Sequence, residues 1–252
     1  MNPYSLEDKA IVVFGASSGI GKATAKFLST LGARVILAGR NEGRLQQTLN
    51  EMDNTKHHLI KTLDLQNENQ VKTWLKELVA DFGAKLDGMV YSAGVHHFTP
   101  LRSINQEYLD EMWNVNVKSL ISLLGSFSNR NISNDGSSVV LLSSISSIVG
   151  EKAVMGYSAA KGAINSIVKS AAVELSQRKI RVNSILPGMV ETEMSKHIQL
   201  SLSEEQFTQV KDKHLLGMGN PDDIAFSIGY LLAPASRWVT GTNVVIDGGY
   251  SL

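Results

Sequence analysis

Residues 10–21, which read AIVVFGASSGIG, join an apolar run to a glycine-rich turn. The run Ala10–Phe14 is continuous and rich in β-branched residues, which is typical of a strand buried on both faces of a parallel sheet. Glycine turns allow the backbone to approach a pyrophosphate, and the helix that follows offers its N-terminus to the phosphates. The stretch therefore predicts a dinucleotide site after the first strand of an α/β fold, although a plain strand-to-helix turn would also use glycine.

Short apolar runs alternate with longer amphipathic segments along the rest of the chain. Strands are predicted at residues 10–14, 35–38, 58–63, 86–91, 139–143, 181–186 and 243–247. Helices are predicted at residues 21–31, 43–52, 70–82, 106–128 and 157–177. This alternation predicts one α/β domain over residues 1–252, a doubly wound Rossmann domain whose seven-stranded parallel sheet carries helices on both faces. The site should lie at the carboxyl ends of the strands, where the strand order reverses.

The composition argues against several classes of function. The 252 residues include 24 Lys and Arg against 24 Asp and Glu, and this neutral balance argues against nucleic acid as a main partner. The absence of cysteine rules out disulfides and thiolate metal sites, and we expect no metal, because His96 and His97 have no nearby carboxylate to complete a ligand set. No apolar run approaches the ~20 residues of a membrane span, and the first residues lack a signal-peptide core, so we expect a cytoplasmic protein.

The end of the second predicted strand indicates which dinucleotide is bound. An NAD site usually places a carboxylate here, about 20 residues beyond the glycines, whereas this segment reads Ala38-Gly39-Arg40-Asn41. A guanidinium suits a 2′-phosphate, so NADP(H) is favoured over NAD(H), although Arg40 would also fit a solvated surface. Asp64 and Leu65 follow the third strand, where Asp64 could accept a hydrogen bond from adenine or could cap the next helix.

The residues that carry chemistry lie later in the chain. Tyr157 and Lys161 are four residues apart in a predicted helix, so both side chains project from one face. A phenol has a pKa of about 10, and a nearby lysine ammonium is expected to lower that pKa toward neutrality. Tyr157 would then protonate a developing alkoxide while Ser144 donates a hydrogen bond to the same oxygen. Asn116, with Asn114 as its competitor, could open its predicted helix locally and hold a water that relays protons to Lys161.

The combined pattern resembles the short-chain dehydrogenase/reductase family over essentially the whole chain. Its motifs appear as Gly15-xxx-Gly19-x-Gly21, Ser92-Ala93-Gly94, Asn116, Ser144, Tyr157-xxx-Lys161, Pro187-Gly188-x-Val190-x-Thr192 and Asp247-Gly248-Gly249. The resemblance implies a catalytic tetrad of Asn116, Ser144, Tyr157 and Lys161. Together with the positions argued above, it gives the predicted cofactor contacts Gly15, Ser17, Ser18, Gly19, Ile20, Gly21, Arg40, Asp64, Leu65, Ser92, Ala93, Gly94, Tyr157, Lys161, Pro187, Gly188, Val190 and Thr192.

Two positions depart from the family pattern. Tyr91 stands where an asparagine usually precedes Ser92, so a side chain thought to steady the central strand is lost. Ser18 stands where many NADP-using members have a basic residue, so the cofactor preference depends on Arg40.

Within the family, the chain looks most like the branch of bacterial 3-oxoacyl-acyl-carrier-protein reductases. This implies an NADPH-dependent reductase that converts a ketone, such as a 3-oxoacyl thioester, to a secondary alcohol, with Tyr157 as the general acid. A dehydrogenase of a sugar or other secondary alcohol and a non-catalytic dinucleotide-binding regulator are the alternatives.

The same resemblance implies a homotetramer and makes an acyl carrier protein a candidate partner besides the small carbonyl or alcohol substrate. An acyl carrier protein would need basic residues near the cleft, for which the candidates are Arg102, Arg130, Arg178 and Lys179. Residues 193–216 mix apolar and charged side chains, and we expect them to form a lid over the substrate.

Overall fold

The structure is a computed structural model that describes residues 2–53, 56–200 and 203–252. Within these residues, seven strands pair in parallel in the order β3-β2-β1-β4-β5-β6-β7, which confirms the predicted sheet. The strands are β1 (Ala10–Phe14), β2 (Arg34–Gly39), β3 (Leu59–Thr62), β4 (Leu86–Tyr91), β5 (Ser133–Leu142), β6 (Arg181–Pro187) and β7 (Asn243–Ile246).

Nine α-helices in the described part of the chain surround this sheet, and none of them is both long and apolar enough to cross a membrane. They are α1 (Gly19–Thr30), α2 (Glu42–Asn50), α3 (Glu68–Phe82), α4 (Gln106–Trp113), α5 (Ser119–Phe127), α6 (Met155–Leu175), α7 (Glu193–Leu200), α8 (Glu204–Asp212) and α9 (Pro221–Leu232). Helices α3, α5 and α6 share one core with Val12, whereas α1, α2 and α9 share the other with Val13. Val12 and Val13 are consecutive strand residues and therefore point to opposite faces of the sheet, and both are fully buried. Helices thus cover both faces, which confirms the doubly wound architecture.

The strand order reverses at β1, which lies between β2 and β4. The ladder continues past the strand ends, since Gly15 N–H donates to Ala38 O at 2.9 Å and Ser92 N–H donates to Phe14 O at 3.1 Å. Gly15 has a φ of +81°, and a Cβ added to it would lie 2.8 Å from the main-chain nitrogen of Ala93. Only glycine therefore fits this turn, which meets the loop after β4 at one edge of the sheet.

Three segments refine the predicted elements. The predicted helix 106–128 consists of α4 and α5 joined by a π-helical turn at Asn114–Lys118, so it opens locally around Asn116 as expected. The segment 193–216 contains α7 and α8, and its positions 201 and 202 lie outside the described residues. Helix α9 is missing from the prediction, although Pro221 opens it and Asp223 accepts a hydrogen bond from Asn220 N–H, both of which are helix-start signals.

Tyr91 ties the central strand β4 to the π-helical turn. Its ring is fully buried, and its hydroxyl donates to Val115 O at 2.5 Å and lies 2.7 Å from Ser119 Oγ. Ser119 Oγ also donates to Val115 O, at 2.9 Å, so this carbonyl accepts two side-chain hydroxyls. Tyr91, which departs from the family pattern, thus links β4 to the π-helical turn that carries Asn116.

We expect Tyr91→Phe to lower the free energy of unfolding by about 1 kcal/mol, because it removes one buried hydrogen bond and keeps the ring. Urea unfolding followed by circular dichroism would measure the change. Tyr4→Phe, at a half-exposed tyrosine, is the control and should shift the free energy by less than about 0.5 kcal/mol. Equal stability of the Tyr91→Phe variant and the unmodified protein would contradict a stabilising role for this hydroxyl.

Candidate active site

The carboxyl edge of the sheet opens into a cavity of about 420 Å³. Most of the predicted site residues line it, namely Gly15, Ser17, Ser18, Gly19, Ile20, Arg40, Asp64, Leu65, Ser92, Ala93, Gly94, Ser144, Tyr157, Lys161, Pro187, Gly188, Val190 and Thr192. Gly21 and Asn116 are the predicted residues that do not line it, because both are buried behind its wall. The fold therefore brings together residues that are up to 177 positions apart in the sequence (192 − 15).

The glycine turn offers main-chain groups to an anion. A Cβ at Gly21 would lie 2.2 Å from Gly15 O, so the first turn of α1 packs directly on the turn after β1. Gly19 has a φ of +49°, and a Cβ there would lie 3.1 Å from Thr192 Cγ2. Ser18 is the N-cap residue of α1, and its side chain makes no capping hydrogen bond. The uncapped N-terminus of α1 at the cavity wall fits the pyrophosphate of a dinucleotide.

Two arginines line the cavity near the end of β2. Arg40 is exposed, whereas Arg44 forms an ion pair with Glu193, the first residue of α7. Asp64 lines the cavity after β3, and Asn67 rather than Asp64 caps α3. The alternative role of Asp64 as a helix cap is therefore wrong, and its carboxylate accepts a hydrogen bond from Gln66 N–H at 3.0 Å.

The serines that follow β5 differ in what their hydroxyls bind. Ser143 Oγ donates to a main-chain carbonyl of α6 at 2.9 Å, and Ser147 Oγ donates to the Ser144 carbonyl at 2.6 Å. Ser144 lines the cavity next to Tyr157, where its hydroxyl donates to Ser146 Oγ at 3.2 Å and accepts a hydrogen bond from Ser146 N–H at 3.2 Å. Ser144 is thus the predicted serine that a bound carbonyl group can reach beside the phenol.

Lys161 and Asn116 meet beneath the loop after β4. Lys161 is buried, and its Nζ donates to Leu142 O at 2.8 Å. Asn116 Nδ2 donates to Met112 O at 3.0 Å, whereas Asn116 Oδ1 is buried and accepts no hydrogen bond from the described residues. A Cβ built on Gly94 would lie 2.8 Å from Asn116 Oδ1 and 3.4 Å from Lys161 Nζ. A buried acceptor thus lies near the lysine, which fits the expected proton relay.

The pKa shifts differ from the sequence prediction for the phenol. Burial raises the pKa of Tyr157 to about 12, the hydrogen bond from Ser144 opposes the rise, and the negative charge of Glu151 adds to it. Burial also lowers the pKa of Lys161 to about 8. The predicted lowering of the Tyr157 pKa is therefore wrong for the protein alone, because loss of water around the phenol raises the pKa by more than the interaction with Ser144 lowers it.

The mouth of the cavity next to Tyr157 is formed by His96 and Phe98. The His96 ring packs edge-on against the Tyr157 ring with centroids 4.5 Å apart, and Phe98 packs against His96 at 5.0 Å. Burial lowers the pKa of His96 to about 4, so this imidazole is neutral at pH 7. His97 instead lies 3.1 Å from Glu111 on the surface, and within the described residues no three His, Asp or Glu side chains gather as metal ligands would.

Several cavity residues escape the sequence reasoning. Glu151 follows β5 in a loop, and Tyr250 comes from the C-terminal turn. Helices α7 and α8 add Met194, Ile198 and Val210 to the lining, which fits the predicted lid. For Tyr250, the Asp247-Gly248-Gly249 motif is the one sequence signal that the C-terminal segment belongs to the site. For Glu151 there is no such signal, because no local pattern distinguishes it from a surface glutamate.

Known proteins match this chain over nearly its full length. The matching family model, described as Enoyl-(Acyl carrier protein) reductase, covers residues 15–251. The 3-oxoacyl-[acyl-carrier-protein] reductase of Thermotoga maritima is 30% identical over 245 residues, which cover 97% of this chain and 98% of that protein. Glucose 1-dehydrogenase of Gluconobacter oxydans is 32% identical over 248 residues, which cover 97% of this chain and 92% of that protein.

A solved structure shares the fold as well. An Agrobacterium tumefaciens protein solved with bound NADP and described as a putative 2-deoxy-D-gluconate 3-dehydrogenase superposes with a TM-score of 0.85 and 26% identity, covering 99% of both chains. Because the family model spans most of the sequence and full-length relatives reach 30% identity, the chain belongs to the short-chain dehydrogenase/reductase family of oxidoreductases.

Proposed function

We propose that this protein reduces a ketone to a secondary alcohol with NADPH, and that Tyr157 is the general acid. The observation that carries the proposal is the meeting of Tyr157, Ser144 and Lys161 at the wall of a cavity that the glycine turn also lines. The nicotinamide, when bound, supplies the hydride. The turn at Gly15–Gly21 would hold the pyrophosphate, and Val190 and Thr192 would hold the carboxamide.

The side chains around the carbonyl oxygen of the substrate would have different roles. Tyr157 holds its proton at neutral pH because burial raises its pKa to about 12, and it donates that proton as negative charge develops on the oxygen. Ser144 donates a second hydrogen bond to the same oxygen, which stabilises the charge. Lys161 places a positive charge next to Tyr157, with its Nζ 5.6 Å from the centre of the phenol ring. Asn116 Oδ1 would bind the relaying water through which Tyr157 is reprotonated.

A 3-oxoacyl thioester, the substrate expected from the sequence, is the first substrate to test. The name of the Thermotoga relative, a 3-oxoacyl-[acyl-carrier-protein] reductase, supports this choice. The basic patch proposed for an acyl carrier protein receives less support. Arg178 and Arg130 both bind Asp135 near the amino end of β5, at the edge of the sheet opposite the cavity. A hydroxylated ketone or sugar is the second candidate, favoured by the Glu151 carboxylate in the cavity.

We also propose that the protein is a cytoplasmic homotetramer. Large apolar side chains are exposed on the outer surfaces of α5 and α6, where Ile121 is 52% and Val173 is 75% exposed. Pairing of copies through these helices would remove both side chains from water.

Tyr157→Phe should lower kcat for ketone reduction about 10²–10⁴-fold, because it removes the proton donor and keeps the ring. Fluorescence titration should give the same NADPH affinity within a factor of about three. Tyr230→Phe, at a tyrosine of α9 outside the cavity, is the matched control and should keep full activity. Substantial turnover by the Tyr157→Phe variant would show that another group donates the proton.

The decrease of kcat/KM at alkaline pH should reflect the deprotonation of Lys161. Its charge is present below a pKa of about 8 and is lost above it, whereas Tyr157 remains protonated because its pKa is raised to about 12. We therefore expect kcat/KM for reduction to fall as the pH rises through about 8. Lys161→Met should remove this decrease, and Lys169→Met, two turns further along α6 and exposed, should retain it. A decrease that survives in Lys161→Met would assign the titration to another group.

Arg40→Ala should weaken NADPH binding about 10–100-fold, because one charge-assisted contact to the 2′-phosphate is lost, and should change NADH binding less than about threefold. Fluorescence titration with both dinucleotides would measure the two affinities. Arg44→Ala tests whether the arginine paired with Glu193 contributes to the same contact. A preference of the unmodified protein for NADH would overturn the assignment of Arg40.

A further inference from the structure

A carboxylate in the cavity plays no part in the proposed proton transfer. Glu151 lies in the loop between β5 and α6, six residues before Tyr157 (157 − 151), and it lines the same cavity. Its negative charge is close enough to raise the pKa of Tyr157. The Glu151 carboxylate therefore disfavours the Tyr157 phenolate, and its position in the cavity calls for a different explanation.

Two hydroxyl groups orient this carboxylate. The Tyr250 hydroxyl donates to Glu151 Oε1 at 2.9 Å, and Ser146 Oγ donates to Glu151 Oε2 at 3.3 Å. Burial and the adjacent carboxylate raise the pKa of Tyr250, so its hydroxyl remains a donor throughout the neutral range. Each carboxylate oxygen thus has one partner from the protein and retains acceptor capacity for a bound molecule.

The C-terminal turn that presents Tyr250 is itself fixed. The Asp247 carboxylate accepts hydrogen bonds from Gly249 N–H at 3.0 Å and Ser251 N–H at 2.9 Å. The Tyr250 ring packs against His214 with centroids 4.7 Å apart, and His214 Nε2 accepts a hydrogen bond from Met189 N–H at 2.9 Å. Glu151 is an exposed residue at the edge of the cavity, and the hydrogen bond from Tyr250, 99 residues away in sequence, holds its carboxylate in position.

We propose that Glu151 is a substrate-binding residue that selects a ketone bearing a hydroxyl group next to the reacting carbonyl. A carboxylate accepts hydrogen bonds and donates none, so a substrate hydroxyl satisfies it, whereas a plain alkyl ketone leaves it partly desolvated. Its charge also repels anionic groups in the same position. This inference rests on the proposed ketone reduction and favours the second substrate class named there, a neutral hydroxyketone, over the 3-oxoacyl thioester.

The test compares 2-hydroxycyclohexanone with cyclohexanone, which differ by one hydroxyl, as substrates of the full-length protein with NADPH. We expect kcat/KM to be about 10–100-fold higher for the hydroxyketone, because a site built to bind a hydroxyl discriminates against the analogue that lacks it. Glu151→Gln keeps the shape and removes the charge, and it should reduce this ratio at least about tenfold. Glu111→Gln, at a glutamate of α4 that binds His97 outside the cavity, should leave the ratio unchanged.

A binding measurement separates this proposal from the proposed reaction. Calorimetric titration with 1,2-cyclohexanediol and cyclohexanol should show tighter binding of the diol, and Glu151→Gln should abolish the difference. Equal affinity of the two alcohols, or a wild-type ratio of kcat/KM retained in Glu151→Gln, would overturn the role of Glu151. If neither ketone is turned over but the diol binds more tightly through Glu151, the proposed reaction fails and the hydroxyl site stands.

Discussion

The close approach of the turn after β1 to the loop after β4 is the constraint on which the candidate site depends. Parallel pairing of β1 with both β2 and β4 places their carboxyl ends side by side, and the absence of a Cβ at Gly15 lets the two backbones touch. The N-terminus of α1 is then directed into the cavity from one side. From the other side, Gly94 leaves room for Asn116 and Lys161 beneath the loop. A side chain at either glycine would separate the elements that supply the nucleotide site and the reacting groups.

The groups beneath that loop carry an electrostatic cost that the surrounding structure offsets. Burying the Lys161 ammonium disfavours its charged form, which is why its pKa falls to about 8, and the hydrogen bond to Leu142 O compensates part of the lost hydration. Asn116 reaches this position because the helix opens into a π-helical turn. Tyr91 fixes the turn from the opposite side by donating to Val115 O. Tyr91 and Ser119 thus hold the turn that carries Asn116, and Lys161 is held separately by its hydrogen bond to Leu142 O.

The sequence predicts the fold and the set of cavity residues because both depend on local periodicity and on the topology of a parallel sheet. The spacing of Tyr157 and Lys161 fixes their shared helical face, and the poor helix propensity of asparagine indicates the opening at Asn116. The direction of the Tyr157 pKa shift could not be predicted, because it depends on burial rather than on the residues nearby in sequence. Glu151 and Tyr250 were beyond sequence reasoning for a related reason, since their contact joins segments 99 residues apart.

The electrostatics of the cavity favour one direction of the proposed reaction. A phenol with a pKa of about 12 holds its proton at neutral pH, so donation to an alkoxide needs no prior ionisation. Oxidation of an alcohol would require the phenolate, which the charge of Glu151 and the lack of water both disfavour. Arg40, near the end of β2, is the independent basis of the proposed preference for the phosphorylated dinucleotide, the form that cells use chiefly for reductions. The two arguments concern different ends of the cavity and different physical effects, and both support the ketone reduction proposed above.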